Sequence, residues 1–296
     1  MASGATIVRA WARVLAVALV VSAAWPAAVS AQGSPQQVYA IVVDSDGLPV
    51  RGLSAEDFSL RDGSVRQAVI GAEPATNPLW IAVIVRGFDA QDRAVLRGAI
   101  EAMATALRSQ SGSHIGVMHP RAAGGPEFVD VTSGLAESAW NDVLAGQTSP
   151  VTAGIAEACA VLHSAPTDRR AVVTLIRRHV DDAVVPMTGL LTDALFQSSA
   201  ALWTVEIPAA AGAVGASPTA TGVKLDDVLT DATKFSGALR ERAPDAAGLA
   251  PMATRVAHLL LAQYIVSYLW PNPMLSQFSI ATRHDRGDVL VPAWAR

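Results

Sequence analysis

The six histidines are the first candidates for metal binding and acid–base chemistry, because imidazole serves both roles near neutral pH. They show no metal-ligand spacing, and the sequence contains no His-Glu-x-x-His motif, Gly-x-Ser-x-Gly nucleophile elbow or P-loop. His114 and His119 bracket a predicted strand, so we expect their side chains to lie on opposite faces of it. A serine, a histidine and an aspartate that are distant in sequence can still meet in a fold, which keeps a hydrolase as one alternative. The histidines are His114, His119, His163, His179, His258 and His284.

Arginine side chains follow two predicted buried strands. Residues 79–85 (LWIAVIV) are followed by Arg86, and residues 171–176 (AVVTLI) are followed by Arg177 and Arg178. In a doubly wound sheet, ligands bind in the crevice beyond the carboxyl ends of the parallel strands. A guanidinium group at such a position can bind a carboxylate directly, in bidentate geometry.

The elements that must position these residues alternate between apolar strands and amphipathic helices. After the first of the two strands, Asp89 is a suitable helix N-cap, and apolar residues then recur at i, i+4, i+7 and i+11. The chain's single cysteine, Cys159, belongs to another apolar helical stripe, which predicts a buried and inert thiol. This alternation predicts an α/β fold with a doubly wound, mostly parallel, Rossmann-like sheet. The residues of the first stripe are Leu96, Ile100, Met103 and Leu107.

Composition excludes several classes of protein. At 51% hydrophobic and 16% charged residues, the 296-residue chain can form a substantial core. Its formal net charge of −4 opposes nucleic-acid binding, which needs a basic surface. One cysteine allows neither an intramolecular disulfide nor a cysteine-rich zinc site. Stability is therefore expected to come from burial of apolar surface.

The N-terminal residues 1–31 resemble a secretory signal peptide. Arg9 and Arg13 precede an apolar run at 14–24, and small residues near Ala31 offer a cleavage site. The alternative is a retained membrane anchor, but the run is shorter than the ~20 residues that a spanning helix needs. We expect a mature chain that begins near Gln32, is periplasmic or extracellular, and has no stable membrane span after cleavage.

β-type sequence occurs at both ends of the mature chain. An N-terminal β module is predicted at 32–76, where turn signals such as Asp-Gly separate short apolar runs. Three strand-like segments follow in 263–296. The simplest architecture pairs both ends into one small β-sandwich, with the α/β domain at 77–262 inserted between them.

Several motifs resemble those of bacterial von Willebrand factor A (VWFA)-related proteins. Residues 43–53 (VDSDGLPVRGL), followed by Glu-Asp-Phe at 56–58 and Asp-Gly at 62–63, look like the N-terminal β module of that family. Residues 263–268 (QYIVSY), with Pro271 just beyond, are similar to the strand after its A domain. The resemblance covers nearly the whole mature chain and implies an A-type α/β domain.

The family's metal-ion-dependent adhesion site is only weakly matched. An A domain usually holds a divalent cation with Asp-x-Ser-x-Ser after its first strand, a later Thr, and an Asp after its fourth strand. Matched to this pattern, Arg86 replaces the first Asp, and Phe88 and Ala90 replace the two serines. Arg177 stands where the second Asp is expected, and Thr152 alone keeps an oxygen ligand. Because Mg²⁺ needs oxygen ligands, the comparison predicts a degenerate site with neither metal nor cofactor.

These observations favour an exported, non-catalytic module of the adhesion or scaffold type that binds a protein partner. The alternatives are a cation-dependent adhesion module and, third, a secreted hydrolase. In a competing interpretation of the arginines, acidic residues of the same chain neutralise them and no partner is bound. The candidate protein-binding crevice comprises Arg86, Thr152, Arg177 and Arg178. The acidic residues considered for internal pairing are Asp89, Asp181 and Asp182.

Overall fold

A computed structural model describes residues 34–62, 64–120, 126–132, 134, 137–145, 150–177, 188–208, 225–270, 278–283 and 287–293. The strands are β1 (Ser34–Val43), β2 (Phe58–Asp62), β3 (Val65–Gln67), β4 (Val69–Pro74), β5 (Leu79–Arg86), β6 (His114–Pro120), β7 (Pro126–Asp130), β8 (Arg169–Arg177), β9 (Ala200–Ile207), β10 (Arg240–Arg242), β11 (Tyr264–Trp270), β12 (Phe278–Thr282) and β13 (Asp288–Leu290). The α-helices are α1 (Arg93–Leu107), α2 (Glu137–Ala145), α3 (Val151–His163), α4 (Thr188–Ser198), α5 (Leu225–Phe235) and α6 (Leu249–Leu261).

The central element is a six-stranded sheet in the order β10-β9-β8-β5-β6-β7. All neighbouring strands are parallel except β6 and β7, which pair antiparallel at one edge. Consecutive residues of β5 face opposite sides: Ile81 and Val83 belong to one buried cluster, and Ala82 and Ile84 to another. Helices α1 and α6 contribute to the first cluster, and α3, α4 and α5 to the second. The predicted α/β class with a mostly parallel sheet is confirmed.

The residues around Asp89 explain where helix α1 begins. The Asp89 side chain accepts hydrogen bonds from the backbone N–H groups of Gln91 and Asp92, as an N-cap does. A short 3₁₀ turn, Ala90–Asp92, leads into α1. The four apolar residues predicted to face the core are all buried, namely Leu96, Ile100, Met103 and Leu107.

Two antiparallel sheets flank the six-stranded sheet in the fold, and each contains strands from both ends of the chain. One has the order β13-β1-β11-β4 and the other β12-β2-β3. The register of β1 with β11 runs from Ser34 opposite Trp270 to Ala40 opposite Tyr264. Strand β2 pairs with β12 in the same antiparallel sense. The chain therefore leaves one antiparallel sheet, forms the α/β portion and returns to both sheets.

Strand β1 lies between two buried clusters. Ile41 and Val43 pack with the α/β core, whereas Val38, Ala40 and Val42 pack with residues of both antiparallel sheets. Burial on both faces explains why this strand is almost continuously apolar from Val38 to Val43. The domain boundaries at 31, 76 and 262 stay predictions.

A buried arginine at the start of β8 connects the α/β portion to the antiparallel sheets. Arg169 is 1% exposed, and its Nε donates to Gln263 Oε1 at 3.0 Å. One terminal nitrogen donates to the carbonyl oxygens of Ala75 and Asn77, at 3.0 and 2.7 Å, and the other to that of Leu260 at 2.8 Å. Burial lowers the pKa of Arg169 to about 10, so the guanidinium stays charged at neutral pH.

The predicted signal peptide at 1–31 lies outside the described residues. Within the described part of the chain, no helix is both long and apolar enough to cross a bilayer.

Candidate functional site

Three of the four residues predicted to form a crevice lie at the carboxyl edge of the six-stranded sheet, Arg86 and Thr152 on the α3 face and Arg177 on the α1 face. Arg86 ends β5 and Arg177 ends the adjacent strand β8, with Arg86 in register with Ile176. Thr152 lies in the first turn of α3, and a Cβ placed on Gly154 would lie 3.5 Å from the Ile84 side chain. Helix α3 therefore begins against β5. Arg178 lies outside the described residues.

Arg177 forms an ion pair with Asp92 that the sequence did not predict. One terminal guanidinium nitrogen donates to Asp92 Oδ1, and the two side chains are only 13% and 12% exposed. The guanidinium carbon of Arg177 lies 5.6 Å from the ring centroid of the buried Phe88, within cation–π range. The charge of Arg177 is thus compensated by a carboxylate and an aromatic face of its own chain.

The backbone turn before α1 fixes the position of Asp92. Asp89 Oδ1 accepts from the backbone N–H of Gln91 at 2.7 Å and of Asp92 at 3.3 Å. The second carboxylate oxygen of Asp92 accepts from the backbone N–H of Asp89 at 3.2 Å, which completes a reciprocal capping box. Asp89 therefore caps the turn, and Asp92, rather than Asp89, pairs with Arg177. Asp181 and Asp182, also considered for this role, lie outside the described residues.

The spacing Asp89-x-x-Asp92 is the signal that predicts this arrangement, because an acidic residue three positions after the N-cap is typical of a capping box. It locates Asp92 at the amino end of α1. It does not reveal that the carboxylate also reaches Arg177, which is 85 residues away in the chain.

A second charged cluster lies farther along the same edge and was also missed. Glu206, near the end of β9, is 3% exposed and accepts a hydrogen bond from Arg240 Nε at 2.7 Å. Arg240 also donates to the Asp226 carboxylate and to Thr230 Oγ1, each at 2.8 Å, and Arg242 lies 3.5 Å from Glu206. Burial lowers the pKa of Arg240, but the Asp226 hydrogen bond and the Glu206 charge outweigh this effect and raise it. The cluster fixes the start of α5 to β9 and β10.

The groups at the crevice do not match the oxygen shell that Mg²⁺ takes in proteins. At the carboxyl end of β5 stand Arg86, Phe88 and Ala90, none of which carries a side-chain ligand for a hard cation. Asp92, the carboxylate beside Arg177, is already bonded to a guanidinium and to a backbone N–H. Across the described ranges, no group of three or more His, Cys, Asp or Glu residues is placed to hold a metal ion.

Two histidines pair with carboxylates across the β6–β7 hairpin. His114 Nδ1 contacts Asp130 Oδ2, and His119 Nε2 lies 3.6 Å from Glu127 Oε2. Burial raises the pKa of Asp130, but hydrogen bonds from Thr132 and His114 outweigh it and hold the pKa below its usual value. These pairs join neighbouring strands and suit a structural role.

Cys159 is buried, as its apolar stripe predicts. Burial raises the pKa of its thiol to about 11, so the thiol stays protonated and unreactive at neutral pH.

No protein-family model matches this sequence. The search of curated proteins gave no match either.

Solved structures give distant matches. Proximal thread matrix protein 1 from the mussel byssus is 8% identical with a TM-score of 0.41, covering 64% of this chain and 49% of that one. The human COPII-coat protein Sec24c is 9% identical with a TM-score of 0.33, covering 62% and 33%. An aerotolerance-related membrane protein from Bacteroides fragilis is 9% identical with a TM-score of 0.36, covering 60% and 98%. The present chain spans about half the length of the mussel protein.

Proposed function

We propose that this chain is an exported, non-catalytic protein-interaction module, of the adhesion or scaffold type, with a VWFA-like α/β domain that has lost its metal site. Two independent features support the proposal. The strand order β7-β6-β5-β8-β9-β10 is that of a doubly wound sheet whose ligand crevice lies at the carboxyl edge. The motifs at 43–53 and 263–268 resemble the β segments that flank the A domain in bacterial VWFA-related proteins.

The observation that carries the proposal is the position of two arginines, Arg86 and Arg177, at the carboxyl ends of the adjacent parallel strands β5 and β8. Asp92 and the Phe88 ring hold Arg177 in place, and because Asp92 also compensates its charge, a partner carboxylate would have to share or displace Asp92. Arg86, half-buried at the end of β5, is in register with Ile176, so strand alternation places its side chain on the face of the sheet opposite to that of Arg177. In this proposal a partner carboxylate pairs with one of these two guanidinium groups, without the metal ion that an A domain usually supplies.

The architectural part of the proposal is that the two antiparallel sheets form a β-sandwich that supports the α/β domain. Their shared buried cluster provides the support, since it includes Val42 of β1, Phe58 and Leu60 of β2, Val266 of β11 and Ile280 of β12. Side chains from the facing surfaces of two sheets pack together in this way in a sandwich.

The function can be tested by affinity capture from the envelope of the producing cell, with the mature chain as bait. We expect the same partner in buffer with Mg²⁺ and in buffer with a chelator. A partner retained only with Mg²⁺ would instead establish a cation-dependent adhesion module.

Once the partner is known, Arg86→Ala and Arg177→Ala test the crevice. Each is expected to weaken partner binding by on the order of 2 kcal/mol, as for loss of a partly desolvated charged contact. Arg242→Ala is the matched control, because Arg242 is 64% exposed and lies at the β10 end of the same edge. Thermal unfolding of all three variants separates loss of binding from loss of folding. Unchanged affinity in both crevice variants would show that the crevice does not bind the partner.

A further inference from the structure

A groove of about 430 Å³ lies between α5, β10 and β13, and none of the described residues of the candidate crevice lines it. Its walls come from residues 230–240 and 289–291, and we refer to it as the α5–β13 groove. This volume falls within the ~300–1,000 Å³ that is usual for small-molecule sites.

Most of the groove wall is apolar and bridges the two parts of the fold. Leu239 and Leu290 pack against the α/β core, whereas Val289 and Val291 pack against the cluster of the antiparallel sheets. Ala238, which is 6% exposed, lies between α5 and β10 on the same wall. Junctions between packed units are frequent places for ligand sites, because neither unit fills the space alone.

The wall of the groove contains a buried hydroxyl group, that of Thr233, which could pair with a polar group of a ligand. Thr233 is 3% exposed, and its Oγ1 has no hydrogen-bond partner in the described part of the chain. A buried hydroxyl without a partner is costly, and a ligand oxygen that accepts its proton would remove that cost. Thr233 therefore supplies an unsatisfied hydroxyl just beneath the apolar surface of the groove.

The charge at the groove favours an anion. Lys234 is exposed beside Thr233, and it forms no ion pair with any described residue. Arg240 also lines the groove, but its guanidinium is bonded to Glu206 and Asp226. No acidic residue is among the described residues of the wall. Lys234 is thus the cation that remains for a ligand.

We propose that the α5–β13 groove binds a monocarboxylic acid with an apolar chain. The chain lies against Leu239, Val289 and Val291, the Thr233 hydroxyl donates to one carboxylate oxygen, and Lys234 pairs with the negative charge. This site is independent of the proposed partner crevice, and its failure would leave that proposal untouched.

Decanoate, below its micelle concentration, is a suitable probe for calorimetric titration of the mature protein. We expect saturable 1:1 binding, and binding of decanol, which lacks the charge, about tenfold weaker. Absence of saturable decanoate binding would overturn the proposal. Equal affinity for the acid and the alcohol would overturn its carboxylate-binding part.

Variants locate the site. Leu239→Trp fills the groove and should abolish decanoate binding, whereas Leu190→Trp, at a leucine of α4 that is 60% exposed, should leave it unchanged. Thr233→Val keeps the side-chain shape and should weaken binding about tenfold, which provides a test even if Leu239→Trp does not fold. Lys234→Gln should weaken decanoate but not decanol. Thermal unfolding checks each variant, and decanoate affinity unchanged by Thr233→Val and Lys234→Gln would contradict the assignment.

Discussion

Arg169 and Arg177 are the first and last residues of β8, and their surroundings differ sharply. Arg169, at the amino edge of the sheet, is 1% exposed and bonds to three backbone carbonyls and the Gln263 amide. Arg177, at the carboxyl edge, is 13% exposed and bonds to the carboxylate of Asp92. One arginine is surrounded by neutral oxygens of the fold, and the other is paired with a charge near solvent.

The difference shows how one strand serves two purposes. The acceptors of Arg169 come from the segment before β5, the end of α6 and the residue before β11, so the guanidinium joins parts of the chain that are distant in sequence. The partner of Arg177 is a side chain on a helix turn, and the pair lies where ligands of doubly wound sheets bind. The amino edge is a structural junction, and the carboxyl edge carries an ion pair nearer to solvent.

Removing residues 263–296 would break the amino-edge junction most severely. The deletion takes away Gln263 and all of β11, which lies between β1 and β4, and leaves apolar strand edges exposed. We expect the 32–262 chain to aggregate when refolded, measured by size-exclusion chromatography and light scattering. A soluble, cooperatively unfolding 32–262 chain would show that the two ends fold independently.

Arg169→Met tests the junction by itself. The substitution keeps apolar bulk but removes four hydrogen bonds, and although Gln110 still donates to the Ala75 and Asn77 carbonyls, the oxygens of Leu260 and Gln263 lose the guanidinium donor, so we expect a loss of about 3–5 kcal/mol in the free energy of unfolding. Urea denaturation with an unchanged m-value is the measurement. A loss below about 1 kcal/mol would mean that water or neighbouring groups replace the guanidinium, and that Arg169 does not stabilise the junction.

Arg177→Met is the matched substitution at the other end of the strand. We expect a smaller loss of about 1–2 kcal/mol, because Asp92 has some solvent access and keeps its backbone N–H bond. Asp92→Asn should cost a similar amount, and the double variant should cost less than the sum of the two. If Arg177→Met destabilises as much as Arg169→Met, the two ends of β8 do not differ as described.

The smallest expected effect concerns Asp130, where antiparallel β7 ends near the amino edge. Its pKa is lower in the folded protein than in the unfolded chain, so its contribution is present above pH ~4 and is lost as the pH falls through the folded pKa. The side chain is 42% exposed, which limits the contribution to under about 1 kcal/mol. Urea denaturation of wild type and Asp130→Asn from pH 6 to 3 should therefore give curves that converge at low pH. A difference that grows as the pH falls would reverse the sign of the assigned shift.

Sequence patterns predicted the strands and helices whose apolar residues recur at a regular spacing. The apolar runs of β5 and β8, the stripe of α1 and the Asp89 cap depend on nearby residues, and the described structure contains all of them. Strand β10 (RER) has only charged side chains, so no alternation of apolar and polar residues marks it. It forms because it pairs with β9 and because Arg240 bonds to Glu206.

The candidate site was predicted in part for a similar reason. Strand ends locate Arg86 and Arg177 at one edge of the sheet, since carboxyl ends of parallel strands meet there. The partner of Arg177 depends on how far α1 lies from β8, which no local pattern encodes. The same holds for Arg169, whose four acceptors become neighbours only when the chain ends have met.

Calorimetric titration of residues 32–296 with Mg²⁺ and Mn²⁺ tests whether fixed charge stands at the carboxyl edge in place of a metal ion. We expect no saturable heat with either cation, and no change in thermal stability when a chelator is added. Stoichiometric binding of either cation that Thr152→Val weakens would contradict this expectation, because Thr152 is the one crevice residue that keeps an oxygen expected of a metal ligand.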